Sequence, residues 1–421
     1  MKKYLSLIGK LLFIGVLFGV LYAYAMFQGG FVSWFLFYAM LPFILYMICI
    51  IFYPLSRWKI TRSMSKSILQ SGDSVTAYLT IRRKLPFPLY YCIIEEYVPE
   101  SLERKGSRSE TYQYMSNPSA LSNKQKVKSV AFPWFKRNIE FRYEFSQVPR
   151  GEHHFHTIRV RTGDLLGFVK KQAYFTVPSN ILVYPHRRKV QISKRVNSFE
   201  EGAAPSFSPA KRDTTVVTGV REYMPGDKFA WIDWKTTAKK NAVMTKEFEQ
   251  QKSSDILLVL DAEESDEDKR LAFEGCVELS ASLIHAYKGM SSQLAFLSLG
   301  KEPRYFPFTK DSDQQIFMNQ HLARIEPDGK VPFADAILRQ QQSMPNNLIV
   351  MLVTRKITVH LKSSVIRLKQ NNARVVLFLI DSHERITGPE EQLLRELTIS
   401  GVVVNVLTES QMTQQQFEVN T

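Results

Sequence analysis

Cysteine is almost missing from this sequence: Cys49, Cys92 and Cys276 are the three in 421 residues, widely separated, and one lies inside an apolar run. That spacing excludes a disulfide framework and a cysteine-built zinc site, and it suits a reducing compartment. Glycine-rich phosphate loops are missing too, which removes the commonest nucleotide-binding signature. Two long stretches, Leu11 to Phe27 and Phe31 to Tyr53, contain no charge at all. The net charge of +15 comes without zinc-finger spacing, an RNP-like motif or a long basic helix, so it is not assigned to nucleic acid.

The charge that is present is unevenly placed. Residues 1–251 carry 37 Lys+Arg against 18 Asp+Glu, and residues 252–421 carry 18 against 22. The basic half adjoins the two uncharged stretches, each long enough to cross a hydrocarbon layer of about 30 Å as a helix. Anionic lipid headgroups are the partner this arrangement fits. Only Gln28-Gly29-Gly30 separates the stretches, which forces a hairpin over residues 1–56. Lys2, Lys3 and Lys10 precede the pair, Arg57, Lys59, Arg62 and Lys66 follow it, and the turn is uncharged. The positive-inside rule then places both termini and everything after the hairpin in the cytoplasm. Met1 to Ala25 also has the three-part form of a signal peptide, a reading that leaves the second span and the same topology.

After the hairpin a period of two takes over. Val75, Ala77, Leu79 and Ile81 alternate with polar neighbours, as do Ile139, Phe141, Tyr143 and Phe145. Further strands are expected over Tyr91–Val98, His154–Arg161, Val169–Phe175 and Asn180–Tyr184, and short strands between turns predict a β-sandwich-like domain over 68–190. Glu103 to Lys128 reads as a long loop. His153, His154 and His156 alternate in facing and have no ligand cluster to join, so they read as partly exposed strand residues rather than metal ligands. Residues 191–218, rich in Ser, Thr, Pro and Ala, read as a linker.

From residue 252 to 421 apolar strand runs alternate with helical stretches, the pattern of a mostly parallel, Rossmann-type sheet covered by helices on both faces. Its first strand ends "LLVLDAEES", which resembles the start of a von Willebrand factor A domain. That resemblance implies a metal site held by Asp-x-Ser-x-Ser, a Thr and a later Asp. Asp261 and Ser265 match it. Glu263 replaces the middle Ser, "PDGKVPFADA" holds no Thr, and Arg355 in "LVTRK" falls near the later Asp. A hard divalent cation needs oxygen ligands, and a nearby guanidinium repels it, so the site is expected to have lapsed, with no cofactor.

Between linker and α/β unit, residues 219–251 concentrate charge and tryptophan. Pro225-Gly226 suits a type II turn, Asp227 is placed to N-cap a helix over 228–240, and Asn241 to stop it. No Ser, Cys or His stands beside a base here, so the segment reads as a docking or junction surface rather than a catalytic centre. The run Gly219, Arg221 and Tyr223, then Pro225, Gly226 and Asp227, then Ile232, Asp233, Trp234 and Lys235, resembles the signature of the bacterial family called "domain of unknown function 58". Ala230 departs from it where an Arg is usual. The N-terminal hairpin and the turn "TGDLLGF", Thr162 to Phe168, also resemble that family. The resemblance implies a membrane-anchored, multi-domain, non-enzymatic adaptor or scaffold. It further implies work with a MoxR-type AAA ATPase and a transglutaminase-like membrane protein in a chaperone or cell-envelope maintenance system. A metal-dependent ligand receptor or hydrolase using the Asp261 loop is the alternative.

Overall fold

The computed structural model describes residues 2–103, 106, 108–115, 127–193, 215–224, 227, 229–240, 242–250, 255–264, 269–288, 293–308, 312–341, 344–345, 348–372, 374–381 and 388–420. Two helices open the chain, α1 (Lys2–Gln28) and α2 (Phe31–Phe52). Leu7–Gln28 and Phe31–Phe52, 22 residues each, are long and apolar enough to cross a membrane. Gln28, expected in the turn, ends α1, and Gly29 makes the reversal at φ +61°, a left-handed conformation that glycine adopts without strain.

Strands β1 (Lys59–Met64), β2 (Ile68–Gln70), β3 (Val75–Arg82), β4 (Cys92–Glu96), β5 (Val127–Ala131), β6 (Asn138–Phe145), β7 (Gly151–Gly163) and β8 (Lys170–Tyr184) follow. They form a three-stranded sheet, β1-β3-β6, and a five-stranded sheet, β2-β8-β7-β4-β5. Leu79, Ile81 and Ile139 of the first share a core with Ile94, Ile158 and Val160 of the second, so the two pack face to face. A bulge between Phe155 and Thr157 shifts the buried parity of β7 from His153 and Phe155 to Ile158 and Val160. Without it, half of this long strand would turn its apolar side chains outward.

Two expectations for this region need correction. His153 is fully buried rather than partly exposed, its ring bonded to Ser101 Oγ (2.7 Å) and Pro149 O (2.8 Å). His154 and His156 stack on the other face, as their spacing implies. The stretch Glu103 to Lys128 is more than a surface loop. Ser109–Tyr114 forms a 3-10 turn, and Tyr112 and Met115 are buried in the core of the α/β unit. An aromatic and a methionine in a polar stretch give no periodic signal, which is why the contact was not legible.

Beyond these sheets come β9 (Lys189–Ser193), β10 (Thr215–Glu222), α3 (Trp234–Lys240) and β11 (Met244–Gln250). Then follow β12 (Ile256–Asp261), α4 (Arg270–Ala286), β13 (Leu294–Leu299), β14 (Arg304–Phe306), α5 (Ser312–Arg324) and α6 (Phe333–Gln341). The chain continues through β15 (Ile349–Thr354), α7 (Val359–Asn371), β16 (Arg374–Ile380), α8 (Gly388–Ile399), β17 (Val403–Leu407), α9 (Glu409–Met412) and β18 (Gln416–Asn420). Six strands form one sheet in the order β14-β13-β12-β15-β16-β17, parallel except for β14 at the edge. One apolar cluster holds α4 and α5 to one face, and another holds α6, α7 and α8 to the other. The chain therefore has mixed α/β content in several sheets.

Helix α4 is buried around most of its circumference, from Leu271 to Ile284. It lies between the six-stranded sheet and a second layer that contains Tyr112 and the parallel pair β9–β18. Small and apolar residues on all sides are what such a position demands. The same layer joins the sandwich to the α/β unit. Arg188 directs Nε at Glu278 Oε1 (2.7 Å) and Nη1 at the carbonyls of Met412 (2.6 Å) and Gln414 (2.7 Å), while Tyr112 donates to Glu278 Oε2 (2.6 Å). Arg150 forks onto Glu274 with two contacts of 2.9 Å.

Candidate functional site

In the signature segment, β10 and β11 pair antiparallel, with a register shift between Val217 and Gly219 where Gly219 faces Glu247. Arg221, on β10, forks onto Asp227: Nη2 to Oδ1 at 2.7 Å and Nη1 to Oδ2 at 2.9 Å. Asp227 Oδ2 also accepts from the backbone N–H of Met224 (3.0 Å), while the Asp227 N–H returns to Met224 O (3.0 Å). These contacts close a four-residue turn whose central residues, Pro225 and Gly226, lie outside the described residues. The Arg221 guanidinium, and then the Met224 N–H, hold the Asp227 carboxyl below its ordinary range.

Asp227 does not cap a helix over 228–240, because its oxygens are already committed to Arg221 and Met224. Phe229–Trp231 forms a single 3-10 turn instead, and the α-helix begins only at Trp234. Its cap is Asp233, whose Oδ1 accepts from the N–H groups of Lys235 (3.1 Å) and Thr236 (3.2 Å). The Thr236 N–H is the main reason the Asp233 carboxyl also sits low. Asn241, expected to end the helix, lies outside the described residues. Trp231 and Trp234 consequently occupy two elements rather than adjacent turns of one.

Ile232 anchors the segment, buried and bridged to Thr245 of β11, and the Asp233 N–H donates to Met244 O (2.9 Å). Tyr223 stacks on Phe229 at 6.2 Å. The rest points out: Phe229 is 77% exposed and Trp234 69%, and Lys235, Lys239 and Lys240 are exposed along α3. The segment thus presents two aromatic side chains and a row of cations on a small scaffold of its own.

The Asp261 loop lies at the carboxyl end of β12, where open parallel sheets place ligands. Asp261 is buried, its Oδ2 accepting from Thr354 Oγ1 (2.7 Å) and its Oδ1 from the Glu263 N–H (2.9 Å). Arg355 donates to the Glu263 carbonyl and lies over the Phe273 ring at 5.2 Å. Burial raises the Asp261 carboxyl, and the Arg355 charge and the Thr354 hydroxyl pull it partly back. Glu263 Oε2 is taken by the Phe333 N–H (2.8 Å). Ser265 lies outside the described residues. The hydroxyl that reaches Asp261 comes from Thr354, at the end of β15, and not from the stretch "PDGKVPFADA". The neighbour of the carboxylate is nonetheless a guanidinium, a poor companion for a divalent cation.

A third feature was not anticipated. Ser298, buried on β13, shares a 2.7 Å hydrogen bond with His321 Nε2 of α5, beside an open cleft of about 620 Å³ that also borders Arg304, Arg324 and Asp328. Burial, with the charges of Arg304 and Arg150, pushes His321 down to about 4. No motif spacing signals this pair, since its members sit on separate elements.

Comparison with known proteins settles the family. A model described as "Protein of unknown function DUF58" matches residues 219–420. A Bacillus subtilis (strain 168) protein, "Uncharacterized protein YeaD", is 39% identical over 325 residues, covering 77% of each chain. The chain belongs to the DUF58 family. Among solved structures, the PilB minor pilin from Streptococcus sanguinis is 7% identical, covers 77% of this chain and 85% of its own, and reaches a TM-score of 0.30. BslA, described as a bacterial hydrophobin, is 12% identical, covers 30% of this chain and 94% of its own, and reaches 0.19. Neither likeness bears on the fold or chemistry of this DUF58 protein.

Proposed function

We propose that the protein is a membrane-anchored, non-enzymatic adaptor whose signature segment captures a protein partner. The observation that carries the reading is the outward presentation of Phe229, Trp234 and the α3 lysines on a scaffold braced by the Arg221–Asp227 fork. Exposed aromatics beside cations suit a protein interface with an acidic counterpart. The segment is read as a docking surface rather than a junction, because buried contacts of Arg150 and Arg188 already join the sandwich to the α/β unit. The family resemblance suggests a MoxR-type AAA ATPase as partner, with a transglutaminase-like membrane protein in the same assembly.

The finer divisions belong to the same proposal: an anchor over 1–56, a sandwich expected over 68–190 that begins earlier, at β1, a linker expected over 191–218 that yields its first residues to β9 and its last to β10, and a von Willebrand factor A-like unit over 252–421. The parallel sheet with an acidic residue ending its first strand supports the last of these. The Thr354, Arg355 and Glu263 contacts around Asp261 favour a unit that works without a metal. Titrating the full chain with Mg²⁺ should give no saturable heat, and micromolar binding lost in Asp261→Ala would favour a metal-dependent receptor instead. Cations on one side of both spans support cytoplasmic termini, which reporter fusions at Gly30 and Thr421 test.

The decisive experiment uses Lys235→Glu and Trp234→Ala. Both side chains are exposed, so thermal melting should stay at the parent value while co-purification of the ATPase from native membranes falls sharply. Reversing a contact charge adds repulsion as well as removing attraction. Undiminished capture by both variants would overturn the docking reading.

A further inference from the structure

One end of the sandwich collects three loops. The register of the strands puts 83–91, 132–137 and 164–169 together, because Arg82 faces Asn138, Cys92 faces both Ala131 and Thr162, and Gly163 faces Lys170. Lys59 of β1 faces Arg82, so the same end receives the chain as it leaves α2. The opposite end carries Arg150 and Arg188 and meets the α/β unit.

These loops pack against the sides of the two apolar helices, some way from their ends. Tyr46 donates its hydroxyl to Pro88 O (2.8 Å) and stacks on Phe87 at 5.6 Å. Phe168 meets Phe13 at 5.5 Å, and Val169 is buried in a cluster with Ile14 and Ile44. Tyr46 stands six residues inside the end of the second apolar span and Phe13 six residues inside the start of the first. At 1.5 Å per residue, each contact lies about 9 Å within its span. Both helices thus place the loops within the apolar spans. Lys171 secures the arrangement, donating to the α2-end carbonyls Ile51 O (2.7 Å) and Tyr53 O (2.5 Å), while Lys10 reaches Lys170 O (2.6 Å).

Much of what the loops leave exposed is apolar. Leu166 and Phe168, 52% exposed, flank Gly167, whose φ of +78° makes the turn tight. Trp134 and Phe135, 62% exposed, lie on the hairpin that bonds Leu89 through both backbone groups of Trp134. Buried Arg83 ties the two loops by donating to Phe87 O and Trp134 O. Lys84, Lys136, Arg137 and Lys170 stand exposed around this patch. The one acid within these three loops, Asp164, is turned inward and accepts from the N–H groups of Leu166 and Val169. Exposed aromatics ringed by cations are the composition of a membrane-interface belt.

We infer that this end of the sandwich dips into the headgroup layer of the bilayer, with Leu166, Phe168, Trp134 and Phe135 in lipid and the surrounding cations on anionic headgroups. The inference rests on reading α1 and α2 as membrane spans. A protein held only by its helices would leave such a patch in water, at a cost proportional to its apolar area. Insertion would also hold the sandwich at a fixed tilt and height instead of letting it swing on the helix ends.

The test is spin-label accessibility in the full chain, with Cys49→Ser as background, reconstituted into phosphatidylcholine–phosphatidylglycerol vesicles. Labels are placed singly at Leu166→Cys and Phe135→Cys, with Phe35→Cys on α2 as a lipid reference and exposed Glu144→Cys as an aqueous one. At both loop sites oxygen accessibility should exceed that of an aqueous nickel chelate, the order reversed from Glu144→Cys. Aqueous behaviour at both loops with lipid behaviour at Phe35→Cys would overturn the inference and leave the anchor standing. Aqueous behaviour at Phe35→Cys as well would overturn both. Low accessibility to oxygen and nickel alike at the loops would mean a protein cover, such as a second copy of this chain, and would also overturn it.

Discussion

Arg188 and Arg221 each grip a carboxylate with two nitrogens, yet their settings are opposite. Arg188 and Glu278 are almost wholly enclosed, with Tyr112 and Phe417 against the guanidinium at 5.2 and 4.7 Å. The Arg221–Asp227 fork joins residues only six apart in sequence, with the Arg221 side chain 39% exposed. The first pair spans 90 residues of sequence and closes the layer between sandwich and α/β unit; the second only shapes a local loop. Removing water from an ion pair makes each partner dependent on the other, whereas a solvated pair can lose either one cheaply. The sequence motif that stands out therefore marks a presented surface, while the contact that holds the molecule together sits in the unremarkable string "YPHRRKV".

The comparison is broken most directly by Glu278→Ala. It leaves the Arg188 guanidinium buried with only carbonyl partners and removes the acceptor for the Tyr112 hydroxyl. Loss of one member of a buried pair costs about 3–5 kcal/mol. Denaturant unfolding of the full chain should show a destabilisation of that order, with the α/β unit and the 3-10 turn at Tyr112 losing protection together in hydrogen exchange. A change no larger than that of a typical surface substitution would mean that the layer is held by its apolar contacts alone.

Titration sharpens the contrast between the sandwich and the α/β unit. In the sandwich, Glu96 is buried against Arg62, with Tyr143 donating to its other oxygen, and burial pushes it up to about 7. The folded state then holds a proton that an unfolded chain releases near 4.5, so this contribution to stability is full below 4.5 and is lost as pH rises through 7. His321 acts in the opposite sense. With its pKa lowered from 6.5 to about 4, its contribution is full above 6.5 and is lost as pH falls through 4. Melting curves from pH 4 to 7.5 should separate them. Relative to the parent, Glu96→Gln should gain stability as pH rises, and His321→Gln should gain as pH falls. Parallel curves for either variant would remove that group from the balance.

How much of this was readable beforehand follows the range of each interaction. The apolar helices, β3, β6 and the alternation of strands and helices in the α/β unit are written in local periodicity. β1 was missed because Lys59, Thr61 and Ser63 alternate with residues only half buried. The β9–β18 pairing was missed because its strands lie more than 200 residues apart in sequence, and nothing in either announces the other. At the signature segment Arg221 and Asp227 meet, but the helix cap falls to Asp233 and not, as expected, to Asp227. Each aspartate is followed within two residues by a lysine and an aromatic, and only the competing demand of Arg221 and the Met224 N–H decides between them.

The smallest effect comes from making one conservative change at both arginines. Lysine keeps the charge but replaces a rigid five-donor fork with a single ammonium, so it cannot serve two carboxylate oxygens and two carbonyls at once. At Arg188 that change should lower the melting midpoint clearly, because Glu278 and Met412 O are buried and water cannot replace the missing donors. At Arg221 the guanidinium is itself part-exposed, and Asp227 keeps its bond from the Met224 N–H, so the midpoint should hardly move. Because the fork braces the turn that presents Phe229, Arg221→Lys should instead reduce partner capture without a matching loss of stability. If Arg221→Lys lowers the midpoint as far as Arg188→Lys, the signature segment is a structural keystone and the contrast between the two pairs disappears.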